Sequence, residues 1–543
     1  VRRADDRRFQ GVTAKSDDPV LYDRESRTYI ASRYRPREHA ARVIDRLDFC
    51  SSGQVVAIRG FGCGYRLQRV LRSLDAKGRL ILIESVPGLM KASLSLQDWK
   101  EVLTDRRLIV VTPETIDRPL AVPLLRFRTL IHEDGAVYPP GLSREYQDLF
   151  SRFINGINRQ LNNEMTYYGF FRLWQYNFLR NLVRFYSRGA VPSPWPRPRK
   201  PVLIAAPGAS LTSQIFSLRK YAPSCYLIAL APAVDYLLSH DVVPDMVIAL
   251  DAAYWTYVHL RRSRLKETAL AVPLTINPLV TNRWKGPIFF FNHGTFFEER
   301  LLPDVFPRVG QVPTVAASAL LLAEQLTAGP IGVCGLDLAY YDRTHVKGSA
   351  HEYHKWRTTT RLSPLAQRQY EATTAARLES VTVHTDTNGL SCRMDAKLSL
   401  FFDWFADHAV NWQSPVYGLH LAGKPKPFFP SLSWEEFVQL PLIKPVDDCL
   451  SHAPPPAEEI RAGLRHYRDQ CVRFADTVNR ETLRLTNDDF DEILKGWCYF
   501  DIADPPAEDG EDRLLRVRQS LYYSAKLLAT ALERVLPAAS PPV

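Results

Sequence analysis

The chain has 543 residues, 46% of them apolar and 24% charged, and a net charge of +10 from 69 basic and 59 acidic side chains. That length exceeds what one hydrophobic core organises, so two to four domains are expected, and the ordinary globular composition excludes a chiefly disordered chain. The positive excess is modest and no long Lys/Arg block exists, which favours anionic ligands over a dedicated nucleic-acid stripe.

The eight cysteines are scattered without a Cys-x-x-Cys pair, and several sit in apolar runs, the pattern of buried free thiols in a reducing cytoplasm. Charges interrupt every apolar run, so neither a signal peptide nor a membrane span is expected. The opening residues VRRADDRR are polar and expected to fray.

Residues 29–111 read as a first α/β block. TYIASRYRPREHAARVIDRL is a capped amphipathic helix with its entry. QVVAIRGFGCGYRLQRVLRSL is a strand, a turn from Gly60 to Gly64, and a helix; RLILIES is a strand closing on Glu84, and RRLIVVT is another. A glycine turn followed about 20 residues later by an acid is the pattern of a dinucleotide or methyl-donor site, and equally of a plain strand-to-helix turn.

Residues 142–188 are helical, with aromatic and apolar residues at helical spacing in FFRLWQYNFLRNLVRFY, and AVPSPWPRPRKP is a boundary because proline cannot continue a helix. From about 200 to 420 strands and helices alternate: VLIAA, CYLIAL, MVIAL, ALAVPLTI, PIFFF and PIGVCGL are the strands of a doubly wound parallel sheet. Beyond about 430 helices dominate, among them FADTVNRETLRL and LLRVRQSLYYSAKLLATALERVL. The domain expectation is thus a Rossmann-like α/β domain over 1–130, a helical connector over 131–200, a central α/β domain over 201–425 and a helical region over 426–543.

The central stretch carries the chemistry. After its first strand comes Pro207-Gly208-Ala209-Ser210: Gly208 lets backbone approach a phosphate, and Ser210 can cap the next helix, whose N-terminus offers unpaired N–H groups to an anion. Further strand ends supply Asp251, Asn277, His293 and then Asp337, Tyr340, Tyr341, Asp342 and His345. In a parallel sheet these gather along one edge, where open sheets bind ligands, although each is also a common turn former or cap. No metal signature stands out: His351-Glu352-Tyr353-His354 lacks the His-Glu-x-x-His spacing, and the one Asp-x-Asp, Asp489-Phe490-Asp491, falls in the helical region. A Walker A loop and a Gly-x-Ser-x-Gly elbow are both missing.

Several motifs together resemble the motility-associated factor (Maf) glycosyltransferases that decorate flagellin. YIASRYRPREHAARVID, VVAIRGFGCGY and LILIES are similar to that family's N-terminal domain. Thr166, Trp174, Asn177 and Asn181 match its helix pattern. APGASL…IALAPAVDYLLSHDVVPDMVIALD resembles its central domain, which is MptE-like and related in fold to sialyltransferases; TVAASALLLAEQLTAGPIGVCGLDLAYYDRTHVKG and TDTNGLSCRMDAKLSLFFDWF resemble later segments. The match keeps its order over about residues 29–420. It departs from the family at Ala206-Pro207-Gly208-Ala209-Ser210, where the usual turn is Gly-x-Gly-Pro-Ser, at GLDL in place of GqDL, and at YGLHLAGKP, where an acidic-Gly-Gly run is usual.

The resemblance implies a cytoplasmic enzyme that moves a nonulosonic acid, of pseudaminic or legionaminic type, from its CMP form onto Ser/Thr of flagellin, with no cofactor and no obligatory metal. It implies that Pro207, Gly208, Ala209, Ser210, Asp251, Asn277 and Ser318 bind the nucleotide donor. Tyr340 or Tyr341 would donate to the departing phosphate, and His345 would accept the acceptor's proton, oriented by Asp337 or Asp342. The alternatives are an MptE-like pterin pyrophosphokinase using ATP and Mg²⁺, an inactive flagellar accessory protein, and a methyl-donor site on Gly60–Gly64 and Glu84.

Overall fold

The computed structural model describes residues 5–47, 54–76, 78–116, 130–133, 140–187, 195–302, 306–341, 346–357, 359–364, 382–386, 389–426, 428–441, 457–477 and 510–535. The chain divides into two compact units, Val1–Phe171 with Cys498–Val517, and Arg172–Trp497 with Arg518–Val543. The helix expected over 142–188 is present as Pro140–Ser187, and the unit boundary at Phe171/Arg172 falls within it.

In the first unit, β1 (Phe9–Thr13), β2 (Pro19–Asp23) and β3 (Thr28–Tyr29) form an antiparallel sheet; β1 and β2 have no counterpart in the sequence reading, and β3 stands where it places the entry to a helix. A parallel sheet follows, with β4 (Val55–Arg59) flanked by β5 (Arg79–Ile83) and β7 (Leu130–Glu133), and β6 (Leu108–Val111) outside β5. The turn after β4 needs glycine: Gly60, Gly62 and Gly64 have φ of 71°, 55° and 81°.

In the second unit the apolar runs fall where expected: β8 (Val202–Ala205), β9 (Tyr226–Leu230), β10 (Met246–Ile248), β11 (Ala269–Val272), β12 (Ile288–Phe290) and β13 (Ile331–Cys334). Strand β11 stops at Pro273, which has no N–H for the ladder. A hairpin, β14 (Thr382–Thr385) and β15 (Ser391–Met394), precedes two further sheet strands, β16 (Val416–Leu419) and β17 (Ser431–Leu432). The eight-stranded sheet runs β12-β11-β10-β9-β8-β13-β16-β17, with every pair parallel. Strand side chains alternate between two apolar faces: Val202 and Ile204 on one, with the helix Val315–Leu326, and Leu203 and Ala205 on the other, with the helix Leu211–Tyr221. Burial on both faces is why these strands read as continuous hydrophobic runs without polar alternation.

Candidate functional site

The strand order places a switch point between β8 and β13. From β8 the chain winds outward through β12, then returns to β8's other side with β13 and continues away through β16. Loops leaving the carboxyl ends of such a strand pair depart in opposite directions and open a crevice, the place where open α/β sheets bind ligands. The turn 207–210 leaves β8 there, and Asp337 leaves β13.

The two meet directly. Asp337 Oδ2 accepts the Ser210 backbone N–H at 2.8 Å, and Oδ1 accepts the Ser210 hydroxyl. The Gly208 N–H donates to Gly335 O at 2.8 Å, an approach so close that a Cβ on residue 208 would stand 2.3 Å from that oxygen. Gly335 itself has φ +68°, and a Cβ there would lie 2.2 Å from Ala206 O. Asp337 is buried, which pushes its carboxyl above the usual range; the Ser210 bonds and the nearby Lys426 oppose that push. The anion seat at the N-terminus of the helix Leu211–Tyr221 is therefore filled by a carboxylate of the chain itself.

Lys426 joins this corner through its ammonium. Its Nζ donates to the carbonyls of Asp337 (3.0 Å), Ala422 (2.7 Å) and Lys424 (3.2 Å), and burial brings its ammonium down to about 8 while Asp337 pulls it back up. Gln214, one turn into the helix, donates to His420 O at 2.9 Å and so ties the loop after β16 to the same corner. Tyr340 and Tyr341 continue from Asp337, with their hydroxyl protons committed: Tyr340 donates to Asp395 and Tyr341 to Asp386, both at 2.8 Å, and Tyr341 also accepts the Gly423 N–H at 2.7 Å. The hairpin β14–β15 thus serves as a brace for residues 337–341. As donors to a departing phosphate, the two tyrosines would first have to give up these carboxylates.

Asp251 and Asn277 stand farther along the edge, two and three strands from β8, which is about 10 and 14 Å at the usual strand spacing. Asp251 accepts the Ala253 N–H at 2.9 Å, and Asn277 caps the helix Pro278–Arg283 by accepting the Leu279 N–H at 3.0 Å. Their loops are held by Asn177 and Asn181. Asn177 donates to Ala252 O and Thr275 O, both at 3.0 Å; Asn181 donates to Leu274 O and Ile276 O, both at 2.8 Å, and accepts the Thr281 hydroxyl. Glu298, wholly buried, accepts the N–H groups of Leu274 and His293 and both donors of Thr295, and burial still pushes its carboxyl up to about 7. His293 is also buried, with Nδ1 on Gly310 O at 2.8 Å, and burial lowers its pKa.

The structure thus joins Ser210 with Asp337 and keeps Asp251 and Asn277 on the same edge but apart. Ser318 lies inside the core on the helix Val315–Leu326, fully buried, instead of lining an open cleft. His345 and Asp342 lie outside the described residues. Asp386, Asp395, Lys426 and Glu298 carry no expected role in the sequence; the first two stand in the TDTNGLSCRMDAKL stretch, which bears the family resemblance.

In the first unit the glycine turn is likewise engaged internally. Glu84 accepts the Phe61 N–H at 2.8 Å, the Val86 N–H at 2.7 Å and the Tyr146 hydroxyl at 2.7 Å, and a Cβ on Gly64 would lie 2.5 Å from the Trp99 ring. The acid that a methyl donor's ribose would need is spent on the turn itself.

A cavity of about 240 Å³ opens among elements that follow β9, β10 and β13, and Arg261, Arg262 and Arg357 contribute to its wall. Among the described residues no group of three or more His, Cys, Asp or Glu is placed to hold a metal ion, and no helix is long and apolar enough to cross a membrane.

Comparison with known proteins agrees with this architecture. Residues 176–343 match the family model of the 6-hydroxymethylpterin diphosphokinase MptE-like proteins. Two uncharacterized proteins of Treponema pallidum (strain Nichols) are similar: one is 28% identical over 174 residues, 31% of this chain and 30% of that protein; the other is 25% identical over 219 residues, 35% and 56%. The chain therefore spans about a third and just over half of the lengths of these relatives. Among solved structures, the Maf glycosyltransferase from Magnetospirillum magneticum AMB-1 has a similar fold, with a TM-score of 0.60 over 97% of this chain and 92% of that one at 14% identity.

Proposed function

We propose that this chain is a glycosyltransferase that moves a nonulosonic acid from a CMP-activated donor to Ser/Thr hydroxyls of flagellin, acting in the cytoplasm. The observation that carries this reading is the switch-point crevice between β8 and β13, with the turn 207–210 and Asp337 at its mouth, in a fold like that of a Maf glycosyltransferase. In the reaction the acceptor oxygen bonds to the anomeric carbon, the bond from that carbon to the phosphate oxygen breaks, and CMP leaves with the electron pair. The acceptor's proton passes to a base, assigned here to His345.

In this reading Pro207, Gly208, Ala209, Ser210 and Asp337 form a rigid floor for the nucleotide, and Asp251 and Asn277 border it. Ser318 supports that floor from within the core. Rigidity is the useful property: a site held by its own hydrogen bonds loses little entropy when the donor binds.

Incubation with a CMP-nonulosonic acid and flagellin, read by intact mass, should add one sugar residue per modified site, and CMP should raise the melting temperature by mass action. Unchanged flagellin mass together with no thermal response to CMP would refute the reading. The match to the MptE-like family model supports a second reading, in which a pyrophosphate group passes from ATP to a pterin hydroxyl and AMP is released. Protection by ATP with Mg²⁺ alone, and AMP formation with a hydroxymethylpterin, would favour it.

A further inference from the structure

Because Asp337 fills the turn after β8, a bound anion meets a carboxylate there, and like charges at that distance repel. The cationic seat lies elsewhere on the same edge. The helix Val234–Leu238 follows β9, the helix Tyr254–Leu260 follows β10 and Asp251, and the helix Ala350–Arg357 follows β13. The last helix is entered just after the Val346 N–H donates to Pro207 O at 2.8 Å, so it is tied to the turn after β8. These elements enclose the 240 Å³ cavity.

Its wall carries Arg261, Arg262 and Arg357 against one carboxylate, Asp235, and the rings of Tyr254, Trp255 and Tyr353. The Arg262 guanidinium lies 4.0 Å from the centre of the Tyr353 ring. A stacked guanidinium is fixed through its face and keeps its in-plane N–H donors for an anion. Asp235 balances part of the charge: burial raises its carboxyl, and Arg262 and Arg261 draw it down. Three cations, one anion and planar rings around a volume this small suit one phosphate or carboxylate attached to a ring, not a polymer.

We propose that this cavity is the anion-binding subsite for the activated donor, receiving the phosphate of its nucleotide or the carboxylate of its sugar between Arg261, Arg262 and Arg357. The inference rests on the glycosyltransferase reading and adds to it the place where the donor's charge is held.

The test is calorimetric titration of the full chain and of its Arg262→Gln and Arg357→Gln variants with three probes: CMP, the free nonulosonic acid, and the CMP-nonulosonic acid. Arg219→Gln, whose side chain pairs with Asp241 on an exposed surface, serves as the control. Both cavity variants should fold with the wild-type circular dichroism and bind the CMP-sugar about tenfold or more weakly, while the control does not change. Equal weakening of CMP identifies the phosphate as the bound group; weakening of the free sugar acid with CMP unchanged identifies the carboxylate. Wild-type affinity for all three probes in both variants overturns the subsite and leaves the glycosyltransferase reading intact. A wild-type protein that binds none of the three overturns both.

Discussion

Asp337 grips Ser210 with both oxygens of its carboxylate, one on the hydroxyl and one on the backbone N–H, so the loop after β13 is locked to the loop after β8. Replacing Ser210 by Ala removes the hydroxyl donor and leaves a buried carboxylate oxygen under-satisfied. The expected cost is about 1–3 kcal/mol in urea unfolding, as for other charged hydrogen bonds. Asp337→Asn keeps the shape but sets an amide against one of two donors, and should cost a similar amount. Loss from neither variant would mean that the two loops are held by other contacts.

Gly208→Ala probes the same junction by volume. The added methyl would stand 2.3 Å from Gly335 O and 2.7 Å from the Asp337 carboxylate, and the first of these is backbone that cannot swing aside. Overpacking of this kind typically costs about 1–3 kcal/mol and shifts the loops that meet there. Gly169→Ala is the contrast: it adds a methyl in open space on a helix and should stabilise by up to about 1 kcal/mol. Opposite shifts in the urea midpoint are the expected result.

Much of this arrangement was legible in the chain because its causes are local. Apolar runs such as Val202–Ala205 and Ile331–Cys334 announce doubly covered strands, and Pro207-Gly208 announces the turn between strand and helix. The placing of Ser210 and Asp337 on one edge follows from parallel winding. Their direct bond was not legible, because it joins residues far apart in sequence whose registers only the assembled sheet sets. The strands Val416–Leu419 and Ser431–Leu432 carry no such signal: VYGL is interrupted by Gly418 and SL is two residues long, so neither presents a continuous apolar run. The place of Ser318 is not legible, because a hydroxyl on an alanine-rich helix looks alike whether it faces a cleft or a core.

Asn177 and Asn181 show what a matched motif can conceal. They stand one turn apart on a helix, and their amides donate to four carbonyls of the loops that follow β10 and β11. Asn181→Ala strands two buried carbonyls and leaves the Thr281 hydroxyl only its bond to Pro278 O, so a loss of about 2–5 kcal/mol is expected. A merely structural loss would lower the melting temperature alone. A positioning role should also speed amide hydrogen exchange around Leu274–Leu279 under conditions where the rest of the sheet stays protected. Exchange unchanged in those loops would remove the positioning role.

Glu298 makes a prediction in pH. Its carboxyl rises to about 7 in the folded chain from an ordinary value of 4.5, because complete burial outweighs the N–H and hydroxyl donors around it. A raised folded value means that the native state holds the proton more tightly than the unfolded chain. The stabilisation is therefore fully present below about pH 4.5 and is lost as pH climbs through about 7. His293 titrates in the opposite sense, since burial lowers its value, but it is present in wild type and in Glu298→Gln alike and largely cancels between them. The melting temperature of wild type minus that of Glu298→Gln should fall steadily between about pH 5 and about pH 8. The absolute offset reflects the amide's poorer fit to the donors of Leu274, His293 and Thr295; the slope isolates the proton. A flat difference across that range would mean that Glu298 stays ionised throughout, with its donors outweighing burial.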